Sequence, residues 1–257
     1  MSPEKEPFYF SCIEPKYLVK NPIRDRKKYL KLFKNVTDEV AIGEASTGYL
    51  WDECSPRLIY ESIPDAKIIV SLRDPIDRAF SHYTMRISGG EKLSFLEVVE
   101  KALKAPKEDY YNHIIVNGGF YSEEIKRYFD TFGRKSVKVV IFEDFVKEPI
   151  RFVKDILKFL NVNAEPPENI KVLHNVFTKP RGSIITSILK NRQIRDIGTE
   201  ILPYSLQGVI LKKIMSKKSE KPKISNKERD FIKQIYQNDV KKLEEVLGYP
   251  LPWSMKK

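Results

Sequence analysis

The hydrophobic pattern changes abruptly from strand-like to helix-like within Lys67–Tyr83, which reads KIIVSLRDPIDRAFSHY. Its first part, Lys67–Leu72, is a short apolar run rich in β-branched residues, and this pattern predicts a buried strand. Asp74 is a good helix N-cap, and Pro75 suits the first helical position. Apolar residues then recur at helical spacing. The stretch therefore predicts a strand that is followed directly by a helix.

The hydrophobic pattern and the capping residues predict further strands and helices that alternate along the chain. Strands are expected at Val40–Gly43 and Val137–Phe142. Such alternation is typical of an α/β domain with a mostly parallel sheet between layers of helices. The predicted helices span residues 25–34, 55–63, 94–105 (capping box Ser94 and Glu97), 121–132, 149–160 and 225–247 (capping box Ser225 and Glu228).

The junction between the predicted strand and helix at Arg73 has the chemistry of an anion site. Ligands of open parallel sheets bind at the carboxyl ends of the strands, and a helix N-terminus favours anions. Arg73, Arg78 and Ser81 add charge and a hydroxyl, which suit a phosphate. The alternative is that Arg73 and Arg78 pair with Asp74 and Asp77. The residues alone leave both interpretations open.

The motif R-D-P-x-x-R-A-x-S-x-Y after this strand resembles the 3′-phosphate-binding motif of one enzyme family. These are the sulfotransferases that use 3′-phosphoadenosine 5′-phosphosulfate (PAPS), and the similarity is greatest to their heparan-sulfate-type and bacterial branch. The resemblance implies that Arg73 and Ser81 hold the 3′-phosphate of PAPS. It also implies a three-layer, P-loop nucleotide-kinase-like fold. The implied reaction moves a sulfuryl group from PAPS to a hydroxyl or amine, with a carbohydrate as the expected acceptor and no metal.

The N-terminal segment Lys5–Phe10 resembles the K-E-P-x-F-F segment of the same family. The resemblance implies that Glu6 is the catalytic base. Such a base fits the chemistry, because the nucleophile of an in-line displacement must lose a proton as it attacks. The alternative is that this stretch is a solvated terminal tail, frayed as most termini are.

Two further stretches resemble parts of the family's binding site. Glu44–Tyr49 is similar to the turn G-E-x-[ST]-P-x-Y-L that lines the acceptor site, which implies acceptor contacts from Glu44, Ser46 and Tyr49. Thr47 stands where the family has proline, and Ala45 where some animal members have lysine, so the acceptor is not defined. The loop predicted at 163–183 resembles one that closes over the cofactor. The residues that this implies as PAPS ligands are Lys179, Arg181, Gly182 and Ser183, and the alternative is a basic surface loop.

The strand predicted at Val137–Phe142 ends in Glu143 and Asp144, similar to an E-D corner of the family. A structural role is expected, in which one carboxylate anchors a neighbouring loop or helix. A paired-carboxylate hydrolase is disfavoured, because adjacent residues of one chain point in different directions.

One element of the family is missing from the 257 residues. Members begin with a strand, a P-K-x-G-T-[ST] loop and a helix, and the loop binds the 5′-phosphosulfate through backbone N–H groups. The expectation is therefore a single domain over 1–257 that lacks the first βα unit, with a basic, partly flexible segment at 184–224. A shortened sequence is favoured over natural loss, because the other motifs are intact. A catalytically incompetent binding homologue stays open as the alternative.

The composition limits the possible binding partners and the cellular compartment. The net charge of +11 indicates anionic partners, but the lysines are scattered and no nucleic-acid motif is present. A basic nucleic-acid-binding protein is therefore only the second alternative. No stretch reaches the length of a membrane span, and the N-terminus is too polar for a signal peptide. Cys12 and Cys54 make neither a disulfide framework nor a metal site, so a reduced, cytoplasmic setting is expected.

Overall fold

The computed structural model of the chain describes residues 1–15, 18, 21–88, 91–106, 109–168, 170, 178–180, 216–218 and 220–253. All of the predicted helices are present, and their ends differ from the predictions by a few residues at most. Two short helices, α5 and α7, were not predicted. The helices are α1 Arg26–Lys31, α2 Ser55–Ser62, α3 Pro75–Ser88, α4 Phe95–Lys104, α5 Tyr110–Asn117, α6 Ser122–Phe132, α7 Phe142–Lys147, α8 Pro149–Leu160 and α9 Asn226–Leu247, with a 3₁₀ turn at Thr47–Leu50.

The sheet contains two adjacent parallel strands, β1 at Ile68–Leu72 and β2 at Val137–Ile141, paired in register from one end to the other. Four helices, α3 to α6, lie between them in sequence, as a parallel crossover requires. The α/β class with a parallel sheet and flanking helices is therefore confirmed.

The strand predicted at Val40–Gly43 is wrong, because these residues lie in irregular backbone. Val40 and Ile42 are exposed, so the run buries no apolar face that would hold it in a sheet. Its backbone is engaged by the N-terminal segment instead. Ser2 N donates to the Gly43 carbonyl at 2.7 Å, and Glu6 N donates to the Ala45 carbonyl at 3.2 Å.

The main core lies on one face of the sheet. Val70 and Leu72 of β1 and Val137 and Ile141 of β2 pack there with apolar side chains of the surrounding helices. The closing helix α9 contributes Tyr236, which is fully buried. Ile69 and Ser71, on the opposite face of β1, are exposed. The face that carries the core is thus defined by the alternation of the strand.

Helix ends follow the capping signals of the sequence. Both predicted capping boxes are present, at α4 and at α9, and α9 ends at Gly248, which has a φ of +83°. The first turn of α6 is capped from another helix, because Asp239 of α9 accepts a hydrogen bond from Tyr121 N at 2.7 Å. None of the described helices combines the length and the apolar character that a membrane span needs.

The prediction of an irregular loop at 163–183 is wrong in part. Thr178–Pro180 forms a short strand, β3, which pairs antiparallel with β4 at Ser216–Lys218. The pairing joins Lys179 to Lys217 in register. The partner strand β4 lies inside the segment 184–224, whose basic and partly flexible character stays a prediction. Most of that segment lies outside the described residues.

Candidate functional site

The corner between β1 and α3 is shaped by Asp74, as its sequence position predicts. Oδ1 of Asp74 accepts hydrogen bonds from Ile76 N at 2.8 Å and Asp77 N at 3.3 Å, the pattern of an N-cap. The side chain is buried, and burial, followed by the nearby Asp77 carboxylate, raises the pKa of Asp74. The cap therefore holds the first turn of α3 directly after the strand.

Glu143 fixes this corner from the end of β2. Its Oε1 accepts a hydrogen bond from Asp74 N at 3.0 Å, and its Oε2 accepts one from Trp253 Nε1 at 3.2 Å. The carboxylate thus joins the β1–α3 corner to the C-terminal region. The predicted structural role of the E-D corner is confirmed for Glu143.

Arg73 occupies the position between the strand and the helix. Its guanidinium lies over the Phe142 ring, 5.2 Å from the centroid, and its carbonyl accepts a hydrogen bond from Tyr121 Oη at 3.1 Å. Within the described part of the chain, no carboxylate pairs with this guanidinium. Its half-buried side chain therefore offers an uncompensated positive charge at the carboxyl end of β1.

The alternative that Arg73 and Arg78 pair with their neighbouring aspartates is wrong. Asp77 forms its ion pair with Arg229 of α9, at 2.6 Å. Arg78 donates to the carbonyls of Ile114 and Ile115, at 3.0 and 2.7 Å. Arg78 is therefore engaged at the end of α5, and the predicted phosphate chemistry is left to Arg73 and Ser81.

The close approach of Arg78 to the α5–α6 turn depends on a glycine. A Cβ at Gly118 would lie 2.8 Å from Nη1 of Arg78, so only glycine fits under the guanidinium. On the next turn of α3, burial and the charges of Arg78 and Arg86 lower the pKa of His82 to about 3. His82 is therefore neutral at physiological pH. Ser81, which is half-buried, lies on the same helix.

The N-terminal segment is packed into the protein and is not a frayed tail. Phe8 and Phe10 are 4% and 5% exposed. Side chains of the 46–52 stretch accept from alternate backbone amides of residues 8–12. Ser46 Oγ accepts from Phe8 N at 3.1 Å, Tyr49 Oη from Phe10 N at 3.1 Å, and Asp52 Oδ2 from Cys12 N at 2.8 Å.

The three residues predicted to contact the acceptor form one hydrogen-bonded group. Glu44 accepts from Tyr49 Oη at 2.7 Å and from Ser46 Oγ at 3.1 Å. Burial and the Glu44 carboxylate raise the pKa of Tyr49. Because both hydroxyls also accept backbone amides of residues 8 and 10, the group supports the segment that carries Glu6. Acceptor contact by Glu44, Ser46 and Tyr49 stays a prediction.

A disulfide between Cys12 and Cys54 links the N-terminal segment covalently to the end of the 44–54 stretch. The two Cα atoms are 5.9 Å apart. The prediction that the two cysteines form no disulfide framework is therefore wrong. Asp52 lies beside them, but the sulfurs are bonded to each other, so no ligand set for a metal is left among these three groups. The cytoplasmic setting stays a prediction, and it no longer has the cysteines as support.

Glu6 lies at the start of the packed segment with its carboxylate held in one orientation. Its Oε2 accepts hydrogen bonds from Thr47 N at 3.0 Å and from Thr47 Oγ1 at 3.2 Å. The backbone of Glu6 has a φ of +57°, which is uncommon for a residue with a side chain and is held here by the surrounding bonds. The predicted base is therefore ordered and half-buried.

Contacts through the α5–α6 turn connect the Glu6 segment with the Arg73 corner. Trp51 Nε1 donates to the Gly118 carbonyl at 3.3 Å, and Tyr128 Oη donates to the Tyr49 carbonyl at 2.8 Å. On the other side of this turn, Tyr121 Oη reaches the Arg73 carbonyl. Sequence reasoning did not predict this connection. The only signal was the Gly118-Gly119 pair before Phe120 and Tyr121.

The predicted basic loop is described only in part. Lys179 lies on β3, whose backbone runs beside α3. Arg181, Gly182 and Ser183 lie outside the described residues, so their predicted contact with PAPS is untested. A cavity of about 370 Å³ between β2, α8 and Tyr249 contains none of the predicted site residues.

Comparison with known proteins agrees with the fold. The sequence profile described as "Sulfotransferase family" matches residues 53–166, which include β1, α3, β2 and α8. The solved sulfotransferase from Alicyclobacillus acidocaldarius superimposes with a TM-score of 0.70 at 28% identity. The superposition covers 97% of this chain and 85% of that one.

Curated relatives match over a limited part of their length. Bifunctional heparan sulfate N-deacetylase/N-sulfotransferase 1 of Xenopus laevis is 31% identical over 125 residues, which are 46% of this chain and 14% of that protein. The human enzyme of the same name numbered 3 is 31% identical over 134 residues, which are 50% of this chain and 15% of that protein. The chain therefore matches only about a seventh of these relatives. The profile, the relatives and the shared fold together make the chain similar to sulfotransferases, and they support that family for it.

Proposed function

We propose that the chain transfers a sulfuryl group from PAPS to a hydroxyl or amine of a carbohydrate. The observation that carries this proposal is the state of Arg73. Its charged neighbours Asp77 and Arg78 are both engaged in other contacts, whereas the Arg73 guanidinium has no carboxylate partner among the described residues. A phosphate is the anion that an arginine at the carboxyl end of a parallel strand is best placed to bind.

The proposed division of roles follows the two connected regions. Arg73 and Ser81 bind the 3′-phosphate of PAPS, with Lys179 and the adjoining residues 181–183 as further contacts. Glu6 takes the proton of the acceptor as its oxygen or nitrogen attacks sulfur. The bond between sulfur and the bridging oxygen then breaks, and adenosine 3′,5′-bisphosphate leaves with the electron pair. Supporting this division, Glu6 is ordered and half-buried, as a positioned base should be.

The carbohydrate part of the proposal is supported by the relatives. The names of the matching proteins state action on heparan sulfate, including N-sulfation. The net charge of +11 also fits an acidic glycan. An amine and a hydroxyl acceptor are both compatible with a glutamate base. Acceptors that offer each group separately will therefore decide between them.

Calorimetric titration with adenosine 3′,5′-bisphosphate tests the nucleotide site. We expect binding that weakens about 10- to 100-fold in Arg73→Ala, because a charge-assisted contact to the 3′-phosphate is lost. Arg57→Ala is the matched control, since Arg57 is an exposed arginine that pairs only with Glu61 on α2. Adenosine 5′-monophosphate, which has no 3′-phosphate, should bind wild type and Arg73→Ala equally weakly.

A transfer assay tests the reaction itself. Radiolabelled PAPS is supplied with heparosan, which offers hydroxyls, or with N-deacetylated heparosan, which also offers amines. Nucleotide binding without transfer to either polysaccharide would instead favour a binding homologue. Strongly salt-dependent binding to DNA, with no preference for the 3′-phosphorylated nucleotide, would favour a nucleic-acid-binding protein.

A further inference from the structure

Thr47 makes two hydrogen bonds to a single oxygen of the Glu6 side chain. Its backbone N–H and its hydroxyl both donate to Oε2, at 3.0 and 3.2 Å. Oε1 has no hydrogen-bond partner within the described part of the chain. One carboxylate oxygen is therefore anchored, and the other remains available to accept a proton.

We propose that Thr47 is a positioning residue that orients Glu6 for removal of the acceptor proton. This inference rests on the proposed function, in which Glu6 is the base. In the transfer step, Oε1 takes the proton from the acceptor O–H or N–H while the new bond to sulfur forms. The S–O bond to the 5′-phosphate breaks in the same step, and its electron pair leaves with adenosine 3′,5′-bisphosphate. Thr47 stays bonded to Oε2 throughout and exchanges no proton.

The identity of residue 47 is what makes this contact available. The corresponding turn of the family, G-E-x-[ST]-P-x-Y-L, carries proline at this position, and proline has neither an N–H nor a hydroxyl to donate. The substitution of threonine in this chain supplies both donors at once. The contact is therefore a property of this chain and not of the motif that it resembles.

The surroundings of Thr47 make this orientation specific. The next residue, Gly48, packs so closely that a Cβ there would lie 2.9 Å from Cε1 of Phe8. Ser46, on the other side, accepts from Phe8 N. The turn and the Glu6 segment are thus held together on both sides of Thr47. A side chain as long as glutamate loses much rotamer freedom when it is anchored in this way, and a prepositioned base needs no such ordering during reaction.

Substitutions at residue 47 can remove the donors without disturbing the core, because the side chain is exposed. Thr47→Ser keeps both donors, Thr47→Val keeps only the N–H, and Thr47→Pro keeps neither. Proline is compatible with the backbone before it, since Ser46 has extended dihedral angles (φ −132°, ψ 110°). The three variants therefore form a graded series.

We expect the turnover number kcat to follow this series. Thr47→Ser should retain wild-type kcat within about twofold, Thr47→Val should lose about fivefold, and Thr47→Pro about 10- to 100-fold. KM for PAPS and the affinity for adenosine 3′,5′-bisphosphate should change less than about twofold in all three, because the nucleotide site is not altered. Rescue by serine and this separation of kcat from KM distinguish positioning from a general loss of structure.

Thr37 provides a matched control. It is also an exposed threonine that donates to carboxylates, from N to Glu39 at 2.7 Å and from Oγ1 to Asp38 at 2.9 Å. Thr37→Val should leave kcat unchanged. A loss in Thr37→Val as large as the loss in Thr47→Val would overturn the inference.

A second measurement tests the contact itself. An amide proton that is bonded to a carboxylate shifts when that carboxylate takes up a proton. In an NMR pH titration, the Thr47 amide resonance should therefore move in wild type, and the movement should vanish in Glu6→Gln. No movement in wild type would overturn the inference. Equal kcat in wild type, Thr47→Val and Thr47→Pro would do the same, even if the proposed function holds. A wild-type chain with no transfer would be a failure of the proposed function first.

Discussion

The Arg73 corner and the Glu6 segment each present one candidate functional side chain, but the two are built from different kinds of interaction. Arg73 lies between a strand and a capped helix that are contiguous in sequence, all within residues 68–88. Glu6 lies in an irregular segment whose backbone amides bond to side chains 38 to 40 positions away. Regular elements satisfy their own backbone groups, whereas an irregular buried segment needs partners from elsewhere in the chain.

This difference indicates which perturbations each region should tolerate. The corner depends on the Asp74 cap, on the Glu143 carboxylate and on helix packing, so it should tolerate changes in the 44–54 stretch. The Glu6 segment depends on the 44–54 stretch and on the disulfide at Cys54. Loss of these partners should release Glu6 while the Arg73 corner stays folded.

The largest expected effect is that of Glu6→Gln on transfer. The amide keeps an oxygen that can accept from Thr47, but it cannot remove a proton. We expect kcat to fall about 10²- to 10⁴-fold, the usual contribution of a general base. Calorimetry should show unchanged affinity for adenosine 3′,5′-bisphosphate. A variant that retains more than a tenth of the wild-type kcat would show that Glu6 is not the base.

Loss of the disulfide should have the next largest effect, on stability. Cys12 and Cys54 are 42 residues apart in sequence, and a loop of that length constrains the unfolded chain by about 3 to 4 kcal/mol. Chemical denaturation with and without a dithiol reductant measures this loss. Hydrogen exchange should also quicken in residues 1–15 more than in α3. The double variant Cys12→Ser/Cys54→Ser should be insensitive to the reductant, and an unchanged wild-type midpoint would contradict the prediction.

A smaller effect is expected on the pH dependence of stability. It comes from Glu124 on α6, the helix between the two regions. Burial raises the pKa of Glu124 from 4.5 to about 7, and within the described residues its Oε2 has no hydrogen-bond partner. The folded state therefore holds a proton that the unfolded chain releases near pH 4.5. Its stabilising contribution is present below pH 4.5 and is lost as pH rises through 7, by about 2 kcal/mol for this partly buried group.

The variant Glu124→Gln isolates this contribution, because the neutral amide does not titrate. The stability of the variant relative to wild type should rise by that amount between pH 4.5 and pH 8, measured by chemical denaturation. His82 acts in the opposite direction, since its pKa is lowered and its contribution is lost as pH falls below 6.5. His82 is present in both proteins, so it cancels in the difference. A constant difference across this range would contradict the prediction.

The smallest effects come from single polar contacts in each region. Asp74→Ala removes the cap of α3, and Ser46→Ala removes the acceptor of Phe8 N. Each should cost about 1 kcal/mol in the free energy of unfolding. Limited proteolysis should detect faster cleavage within residues 1–15 only in Ser46→Ala. Equal cleavage of this segment in both variants would show that the two regions are not independent.

Local sequence signals predict those strands and helices whose apolar pattern and capping residues lie within the element itself. The apolar run at 68–72, the cap at Asp74 and the capping boxes at Ser94 and Ser225 predicted elements that the structure contains. The short helices α5 and α7 were missed, since eight and six residues carry too little periodicity to distinguish them from turns. The apolar residues of Val40–Gly43 predict a strand, but the fold leaves Val40 and Ile42 exposed.

In the candidate site, too, local motifs identify single residues, whereas contacts between distant residues are not predicted. Motif resemblance identified Arg73 and Glu6, but it could not show that Arg78 is engaged at the end of α5 or that Asp77 pairs with Arg229. The pairing of Cys12 with Cys54 was missed, because two isolated cysteines carry no spacing signal. The partners in each case are far apart in sequence, and sequence separation gives no distance in space.

The sequence by itself determined the α/β class, the strand that leads into α3, the position of Arg73 and the resemblance to sulfotransferases, because periodicity, caps and motifs act over a few neighbouring residues. Only the tertiary structure decided that the N-terminal segment is buried, that Glu44, Ser46 and Tyr49 support it, and that Thr47 anchors Glu6. These outcomes depend on which distant groups meet once the core has formed. These contacts are determined by the packing of the whole chain and not by the conformational preferences of neighbouring residues.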